Sequence, residues 1–178
     1  MASFGTKKFT KHDDFMTPKY AWDNIKHFIP ADAKIWESAY GDGKSGTYLK
    51  ELGYDTFHKE IDYFTEEPTN FEWTHQITNC PFSIKKKWFT RAKQLNKPFI
   101  IICPTAVLTT QYFRLLFSNT DDKIQIIIPR TRIGFTKIVN GEVAEGYKGK
   151  EIKPPKPNFD CFYYCWKMNL PRDIMWLN

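Results

Sequence analysis

Two short, uninterrupted apolar segments, with a predicted helix between them, constrain the fold of this chain more than any other sequence feature. They are residues 98–103 (PFIIIC) and 123–128 (KIQIII). A strand that is buried on both faces has a continuous apolar sequence, which is typical of the centre of a parallel sheet. Residues 105–117, between the two segments, are the predicted helix. Apolar strands that alternate with helices favour an α/β fold with a mainly parallel sheet.

The same alternation extends to both sides of these segments. Further strands are predicted at 33–37, 54–60 and 75–78, with helices at 18–28, 47–52 and 84–95. The helix at 18–28 is predicted to begin with Thr17 as its N-cap and Pro18 at its first position. A strongly aromatic strand, 159–166, completes the pattern. The length of 178 residues fits a single domain, 1–178, in which residues 130–158 form a basic insert.

The composition excludes several classes of protein. The longest apolar stretch is far shorter than the roughly 20 residues that a membrane-spanning helix needs, so we expect no membrane association. The N-terminal residues lack the apolar core of a secretory signal. The four cysteines form no C-x-x-C pair and share no metal-ligand spacing with the four histidines. We therefore expect an intracellular, cytoplasmic protein with reduced thiols and no metal site.

The net charge and the aromatic content both suit a nucleic-acid binder. The net charge is +6 and 17% of the residues are aromatic. Cations neutralise phosphates and aromatic rings stack on bases, although a well-packed basic protein can have the same composition. Much of the positive charge lies in Lys85–Lys87 and in the insert 130–158, where Asn140-Gly141 predicts a hairpin turn. The insert is the candidate for target recognition.

A glycine-containing loop, 37–46 (ESAYGDGKSG), follows the strand predicted at 33–37 and precedes a helix. Glycines allow the backbone to approach a ligand closely, and a helix N-terminus offers free N–H groups. Gly41, Gly43 and Gly46 match the G-x-G-x-x-G spacing of a dinucleotide fingerprint. A phosphate loop fits less well, because its first glycine would fall on Ser38 and no later strand ends in an aspartate that could hold magnesium.

A tetrapeptide, Asn79-Cys80-Pro81-Phe82, follows the strand predicted at 75–78. In open α/β sheets, ligands bind beyond the carboxyl ends of the strands, so this segment is a candidate for a second part of the site. The sequence Asn-x-Pro also ends strands as a simple turn. The tetrapeptide by itself does not separate these two interpretations.

The glycine loop and the tetrapeptide occur together with two further signals, in one order along the chain. The set is Thr17-Pro18, Glu37-x-x-x-Gly41-x-Gly43, an acid near the end of the second strand (Glu60 or Asp62) and Asn79-Cys80-Pro81-Phe82. Over most of residues 15–128 this order resembles S-adenosylmethionine-dependent amino methyltransferases, and most of all small phage-like or viral adenine-N6 DNA methyltransferases. The resemblance implies a Rossmann-like methyltransferase fold, with a mainly parallel sheet flanked by helices and an antiparallel aromatic C-terminal strand.

The resemblance also implies catalytic roles for the tetrapeptide. The side-chain oxygen of Asn79 and the backbone carbonyl of Cys80 would accept the two hydrogens of the target amine. Pro81 would fix the turn, and Phe82 would stack on a base flipped out of the duplex. The most common family tetrapeptide has proline at the position of Cys80, but the role there belongs to the backbone. The implied chemistry needs neither a metal nor a general base.

The implied cofactor is S-adenosylmethionine. Ala39, Gly41 and Gly43 would run beside its methionine moiety, which Thr17 and Pro18 would cover. Glu37 would steady the loop or the amino group of the cofactor. Glu60 would bind the ribose hydroxyls, or Asp62 would lie against the adenine ring, because the segment Glu60-Ile61-Asp62 leaves the register open.

The resemblance implies DNA as the partner. Lys85, Lys86 and Lys87 would contact phosphates beside the flipped base, and Arg130 and Arg132 would lie nearest to the target. The alternatives are adenine in RNA, a glutamine amide in a protein, or a degenerate protein that binds nucleic acid or a partner without catalysis. Because the insert is short, we expect a short recognition sequence, a homodimer or a partner subunit.

Overall fold

The computed structural model describes residues 13–118, 123–139, 142–143 and 159–178. These residues form a seven-stranded sheet flanked by helices, and a second sheet of three strands. The strands in chain order are β1 (Phe15–Met16), β2 (Lys34–Trp36), β3 (Asp55–Phe57), β4 (His75–Asn79), β5 (Phe99–Pro104), β6 (Ile124–Ile128), β7 (Thr136–Val139), β8 (Glu142–Val143), β9 (Cys161–Trp166) and β10 (Ile174–Trp176).

The large sheet is mostly parallel. Its strand order is β10-β6-β9-β5-β4-β2-β3. β9 runs antiparallel to both β5 and β6, whereas the other neighbouring pairs are parallel. The predicted α/β class with a mainly parallel sheet is thereby confirmed. β5 is buried nearly throughout, as its apolar sequence predicts, but β6 buries only Ile127 fully because it lies next to the edge strand β10.

Four α-helices connect these strands: α1 (Lys19–Asp23), α2 (Lys44–Glu51), α3 (Lys85–Leu95) and α4 (Gln111–Phe117) in the described ranges. Helix α3 buries Trp88, Phe89 and Ala92, and this is the face that its apolar spacing predicts. None of the helices in the described ranges is both long and apolar enough to cross a membrane.

Two predicted helices are shorter than their sequence patterns indicate. The prediction that Thr17 caps a helix starting at Pro18 is wrong, because Pro18 has an extended ψ of 152° and the helix begins at Lys19. That helix ends at Asp23, and 26–28 form a separate 3-10 turn. The predicted helix at 105–117 is also divided, because Thr110 is extended and its hydroxyl donates to the carbonyl of Val107 at 2.7 Å.

The small sheet joins the N-terminal segment to the insert. β1 pairs antiparallel with β7, and β7 pairs antiparallel with β8, in the order β1-β7-β8. The predicted turn at Asn140-Gly141 lies outside the described residues, as does 144–158, but the strands on either side of the turn pair antiparallel as a hairpin requires. The insert therefore contributes a hairpin whose first strand binds the N-terminal segment.

Most of the large aromatic residues belong to the core. Trp22, Trp36 and Trp88 are completely buried, and the ring of Trp88 stacks on Tyr63 with a centroid distance of 3.9 Å. On the other face of the sheet Phe89 packs edge-on against Tyr164 at 5.7 Å. The high aromatic content is therefore mainly structural, and it is weak evidence for stacking on bases.

Candidate functional site

A cavity of about 580 Å³, counted to its open mouth, lies beyond the carboxyl ends of β2 and β4. From β2 the chain passes first to β3 on one side and later to β4 on the other, so the strand order reverses between β2 and β4. Such reversal points are where open α/β sheets bind ligands. The cavity is lined by Asp13, Phe15, Met16, Thr17, Glu37, Ala39, Tyr40, Gly41, Asp42, Ser45, Asn79, Cys80, Pro81 and Phe82.

The structure brings together most of the residues that the sequence analysis selected. Those that line the cavity are Thr17, Glu37, Ala39, Gly41 and all four residues of the tetrapeptide 79–82. The sequence analysis missed Tyr40, Asp42 and Ser45, which could have been found because they lie within the glycine loop and at the start of α2. It also missed Asp13, Phe15 and Met16, and no local pattern marks these three, because the pairing of β1 with β7 places them there.

Four predicted cofactor residues do not line the cavity. Pro18 precedes α1, and Gly43 is the residue before α2. Glu60 is exposed, and the Asp62 carboxylate accepts the backbone N–H of Phe64 at 2.9 Å within a turn. Strand β3 ends at Phe57, earlier than predicted, so His58 is the residue that directly follows it.

Backbone conformation explains the glycines of the loop. Gly41 has a φ of +57° and Gly43 a φ of +83°, in the left-handed region that residues with a side chain rarely adopt. A Cβ at Gly41 would also lie 3.2 Å from the sulfur of Met16. The side chain of Asp42 accepts the backbone N–H of Lys44 at 3.1 Å and so supports the start of α2. The loop is shaped by local geometry before any ligand is considered.

The carboxylate of Glu37 is buried and fully engaged by neighbouring groups. Its Oε1 accepts the hydroxyl of Thr78 at 2.6 Å and the backbone N–H of Ala39 at 3.3 Å. Its Oε2 lies 2.6 Å from Nε2 of His58, and both side chains are almost inaccessible to solvent. Of the two roles expected for Glu37, this geometry favours steadying the loop over binding an amino group of a ligand.

His58 is a site residue that the sequence analysis did not single out. Burial lowers the pKa of His58, but the negative charge and hydrogen bond of Glu37 outweigh burial, so the pKa lies above its ordinary value. A Cβ added at Gly46 would lie only 2.1 Å from Nδ1 of His58. The third glycine of the G-x-G-x-x-G spacing is thus explained by the packing of His58 against α2.

Two polar atoms at the cavity have no hydrogen-bond partner among the described residues. They are the hydroxyl oxygen of Thr17 and the side-chain oxygen Oδ1 of Asn79. The amide nitrogen of Asn79 donates to the carbonyl of Phe15 at 3.4 Å, which leaves Oδ1 as an acceptor. Burial of an acceptor without a partner costs about 1–3 kcal/mol. A ligand that donates hydrogen bonds would remove this cost.

The rest of the tetrapeptide is held by the core. The thiol of Cys80 lies 3.7 Å from the carbonyl of Ile102 and 3.6 Å from the sulfur of Cys103, and both cysteines are free thiols. Burial and the contact with Cys80 raise the pKa of Cys103. The ring of Phe82 is only 7% exposed and packs edge-on against Phe159 at 5.1 Å. Stacking of Phe82 on a base would therefore need its ring to be uncovered.

The predicted basic residues differ in what they contact. The ammonium of Lys85 donates to the carbonyl of Phe82 at 3.0 Å, whereas Lys86 and Lys87 are exposed at the start of α3. Arg130 is exposed beside a groove near the C-terminus. Arg132 forms a two-bond ion pair with Asp160, at 2.6 and 3.2 Å, which raises the pKa of the guanidinium. Further predicted cations of the insert lie outside the described residues: Lys148, Lys150, Lys153 and Lys156.

Comparison with known proteins adds no relative. No protein-family model matches the sequence, and no curated protein is significantly similar to it. Within the described ranges, no group of three or more His, Cys, Asp or Glu side chains could hold a metal ion. A functional assignment therefore depends on the residues and geometry of the cavity.

Proposed function

We propose that this protein transfers a methyl group from S-adenosylmethionine to the exocyclic N6 amine of adenine in DNA, using a Rossmann-like methyltransferase fold. The observation that carries the proposal is the unpartnered Oδ1 of Asn79, which faces the same cavity as the glycine loop. The single antiparallel strand β9, inserted between β5 and β6, also supports the proposed fold.

The residues of the cavity fit the cofactor. Unpartnered acceptors at Thr17 and Asn79, with the carboxylates of Asp13 and Asp42, favour a ligand that is positively charged or rich in donors. S-adenosylmethionine has both a sulfonium and an ammonium group. Gly41 and Ala39 would let the backbone lie beside its methionine moiety, and Thr17 would accept a hydrogen bond from it.

Catalysis in this proposal is mainly the orientation of the target amine. The nitrogen lone pair is delocalised into the adenine ring, so the amine attacks only when its hydrogens are held and the nitrogen can become tetrahedral. Oδ1 of Asn79 accepts one hydrogen, and the carbonyl of Cys80 accepts the second. When bound, S-adenosylmethionine supplies the methyl group from its sulfonium. Holding the two reactants in line contributes much of the rate.

The test is methyl transfer by the purified full chain. Labelled S-adenosylmethionine is incubated with unmethylated duplex DNA, with RNA and with a protein extract, and the DNA nucleosides are examined by mass spectrometry. We expect label in DNA, recovered as N6-methyladenine. Label in RNA or protein alone would change the acceptor, and a lack of cofactor binding by calorimetry would contradict methyl transfer itself.

The exposed lysines at the start of α3 give a second measurable expectation. If Lys86 and Lys87 contact phosphates beside the flipped base, changing both to alanine lowers the salt dependence of DNA affinity by about two phosphate contacts, at roughly 0.9 log units of slope each. The measurement is DNA affinity across a range of salt concentrations. The double variant Lys34→Ala/Lys123→Ala is the matched control, because these lysines precede β2 and β6 at the opposite end of the parallel strands. An equal change in slope for both double variants would contradict the assignment.

A further inference from the structure

The buried imidazole of His58 joins three parts of the molecule. It directly follows β3, its Nε2 lies 2.6 Å from the Glu37 carboxylate beyond β2, and the same nitrogen lies 3.4 Å from the carbonyl of Ala39 in the glycine loop. The ring of Tyr40 lies beside it with a centroid distance of 5.0 Å. Only 4% of the side chain is exposed, so these contacts are made out of reach of bulk water.

Helix α2 has a slot that fits this ring. The missing side chain of Gly46 leaves space that Nδ1, Cβ and Cγ of His58 occupy, all within 2.4 Å of where a Cβ would lie. A buried charge is retained only with a partner at good distance, and Glu37 provides that partner. The arrangement is therefore built around His58, and the ring has little freedom to move away from Glu37.

Glu37 passes the position of His58 on to the ligand cavity. Its other oxygen accepts bonds from Thr78, which precedes the tetrapeptide, and from the backbone N–H of Ala39. That N–H is also 3.2 Å from the hydroxyl of Thr78. Ala39 and Thr78 thus share one hydrogen-bonded unit with Glu37, and the two walls of the cavity, the glycine loop and the end of β4, meet at it.

We propose that His58 is a positioning residue, and that its protonated form holds Glu37 and the loop 38–43 in the shape that binds the ligand of this cavity. The identity of that ligand as S-adenosylmethionine depends on the function proposed above. His58 itself does not line the cavity, so its effect is transmitted through Glu37 and Ala39. Loss of its proton leaves a buried carboxylate without its cationic partner, and the unit that shapes the loop is weakened.

The direction of the pH dependence follows from the groups that face His58. The charged group is Glu37 from the end of β2, the titratable group on the loop is Tyr40, and α2 presents Gly46. Because the Glu37 charge raises the pKa of His58 above 6.5, the pair is intact below pH 6.5 and is lost as the pH rises through that higher pKa. Ligand affinity is therefore highest on the acid side of this range.

Nuclear magnetic resonance of the full chain tests the coupling without any ligand. The imidazole resonances of His58 are titrated between about pH 5.5 and pH 9, a range that brackets the ordinary histidine pKa, together with the backbone amides of Ala39 and Gly41. We expect the amides to shift with the midpoint of His58. Amides that stay constant while His58 titrates, or a His58 pKa below its ordinary value, would overturn the inference.

Calorimetry with S-adenosylmethionine over the same range measures the effect on binding. We expect the affinity of the wild-type protein to fall by about tenfold as His58 loses its proton, the amount that one charge-assisted hydrogen bond contributes. The ligand's own amino group titrates near pH 8, at about the value of an α-amino group. The relevant quantity is therefore the difference between the wild-type protein and His58→Gln, which keeps a donor but cannot titrate.

His75→Gln is the matched control, because His75 begins β4, at the opposite end from the cavity, and burial lowers its pKa. It should retain the wild-type dependence, whereas His58→Gln should lose it. Identical dependence in all three proteins would overturn the inference. If the cofactor binds at no pH while the amides still follow His58, the proposed function fails and the positioning role stands. The amide titration uses the wild-type chain, so a variant that fails to fold does not prevent the test.

Discussion

Replacing Asn79 with alanine is expected to lower methyl transfer by about 10²–10³-fold, the cost of removing one preorganised hydrogen-bonding group from an active site. The reason is that Oδ1 is the free acceptor at the cavity, since the amide nitrogen is already bonded to Phe15. The side chain would act on the amine that is methylated. The affinity for S-adenosylmethionine should therefore change much less than the rate.

Single-turnover transfer and calorimetry on the same protein measure the two quantities separately. Asn24→Ala is the matched control, since Asn24 is exposed at the end of α1 and should leave both unchanged. Equal losses of rate and cofactor affinity would mean that Asn79 binds the cofactor. An unchanged rate would contradict the assignment of Asn79 as the group that orients the amine.

Gly46→Ala is expected to reduce the free energy of unfolding by about 3 kcal/mol, the lower end of the range for breaking one buried ion pair. The new methyl group would lie 2.1 Å from Nδ1 of His58 and must push the ring out of its slot. The Glu37 carboxylate would then remain buried without a cationic partner. Alanine normally stabilises a helix relative to glycine, so the sign of the effect distinguishes this packing from an ordinary helix position.

Urea unfolding followed by circular dichroism checks this expectation, with a lower midpoint and an unchanged slope. Thr47→Ala is the neighbouring control on the exposed face of α2, where we expect a change within about 0.5 kcal/mol. In a His58→Ala background the slot is empty, so adding Gly46→Ala should cost little further. A stabilising effect of Gly46→Ala in the wild-type protein would show that His58 does not occupy the slot in solution.

Periodicity predicted the large sheet and its direction from particular segments. The continuous apolar sequence 98–103 indicated a central strand, and β5 is buried nearly throughout. The spacing of Trp88, Phe89 and Ala92 indicated the buried face of α3. The boundaries were less predictable, because burial of Ile25 and the extended Thr110 interrupt two helices whose local patterns continue.

The two parts of the candidate site were predictable for a topological reason. The glycine loop and the tetrapeptide each follow a strand, and parallel neighbours place their carboxyl ends at one edge of the sheet. The structure accordingly lines one cavity with Gly41 and Asn79. Glu60 and Asp62 were selected from the expected end of a strand that stops three residues earlier than Glu60, at Phe57, and neither lines the cavity.

By itself the sequence determined the α/β class, the positions of the main strands and the glycines that the loop conformation requires, because these depend on patterns within one segment. Tertiary structure alone decided which groups surround the cavity. The bond from Asn79 to Phe15 joins residues 64 apart, and the contact of His58 with Ala39 joins residues 19 apart. No local periodicity records such contacts, since they exist only once β1 has paired with β7 and β3 has paired with β2.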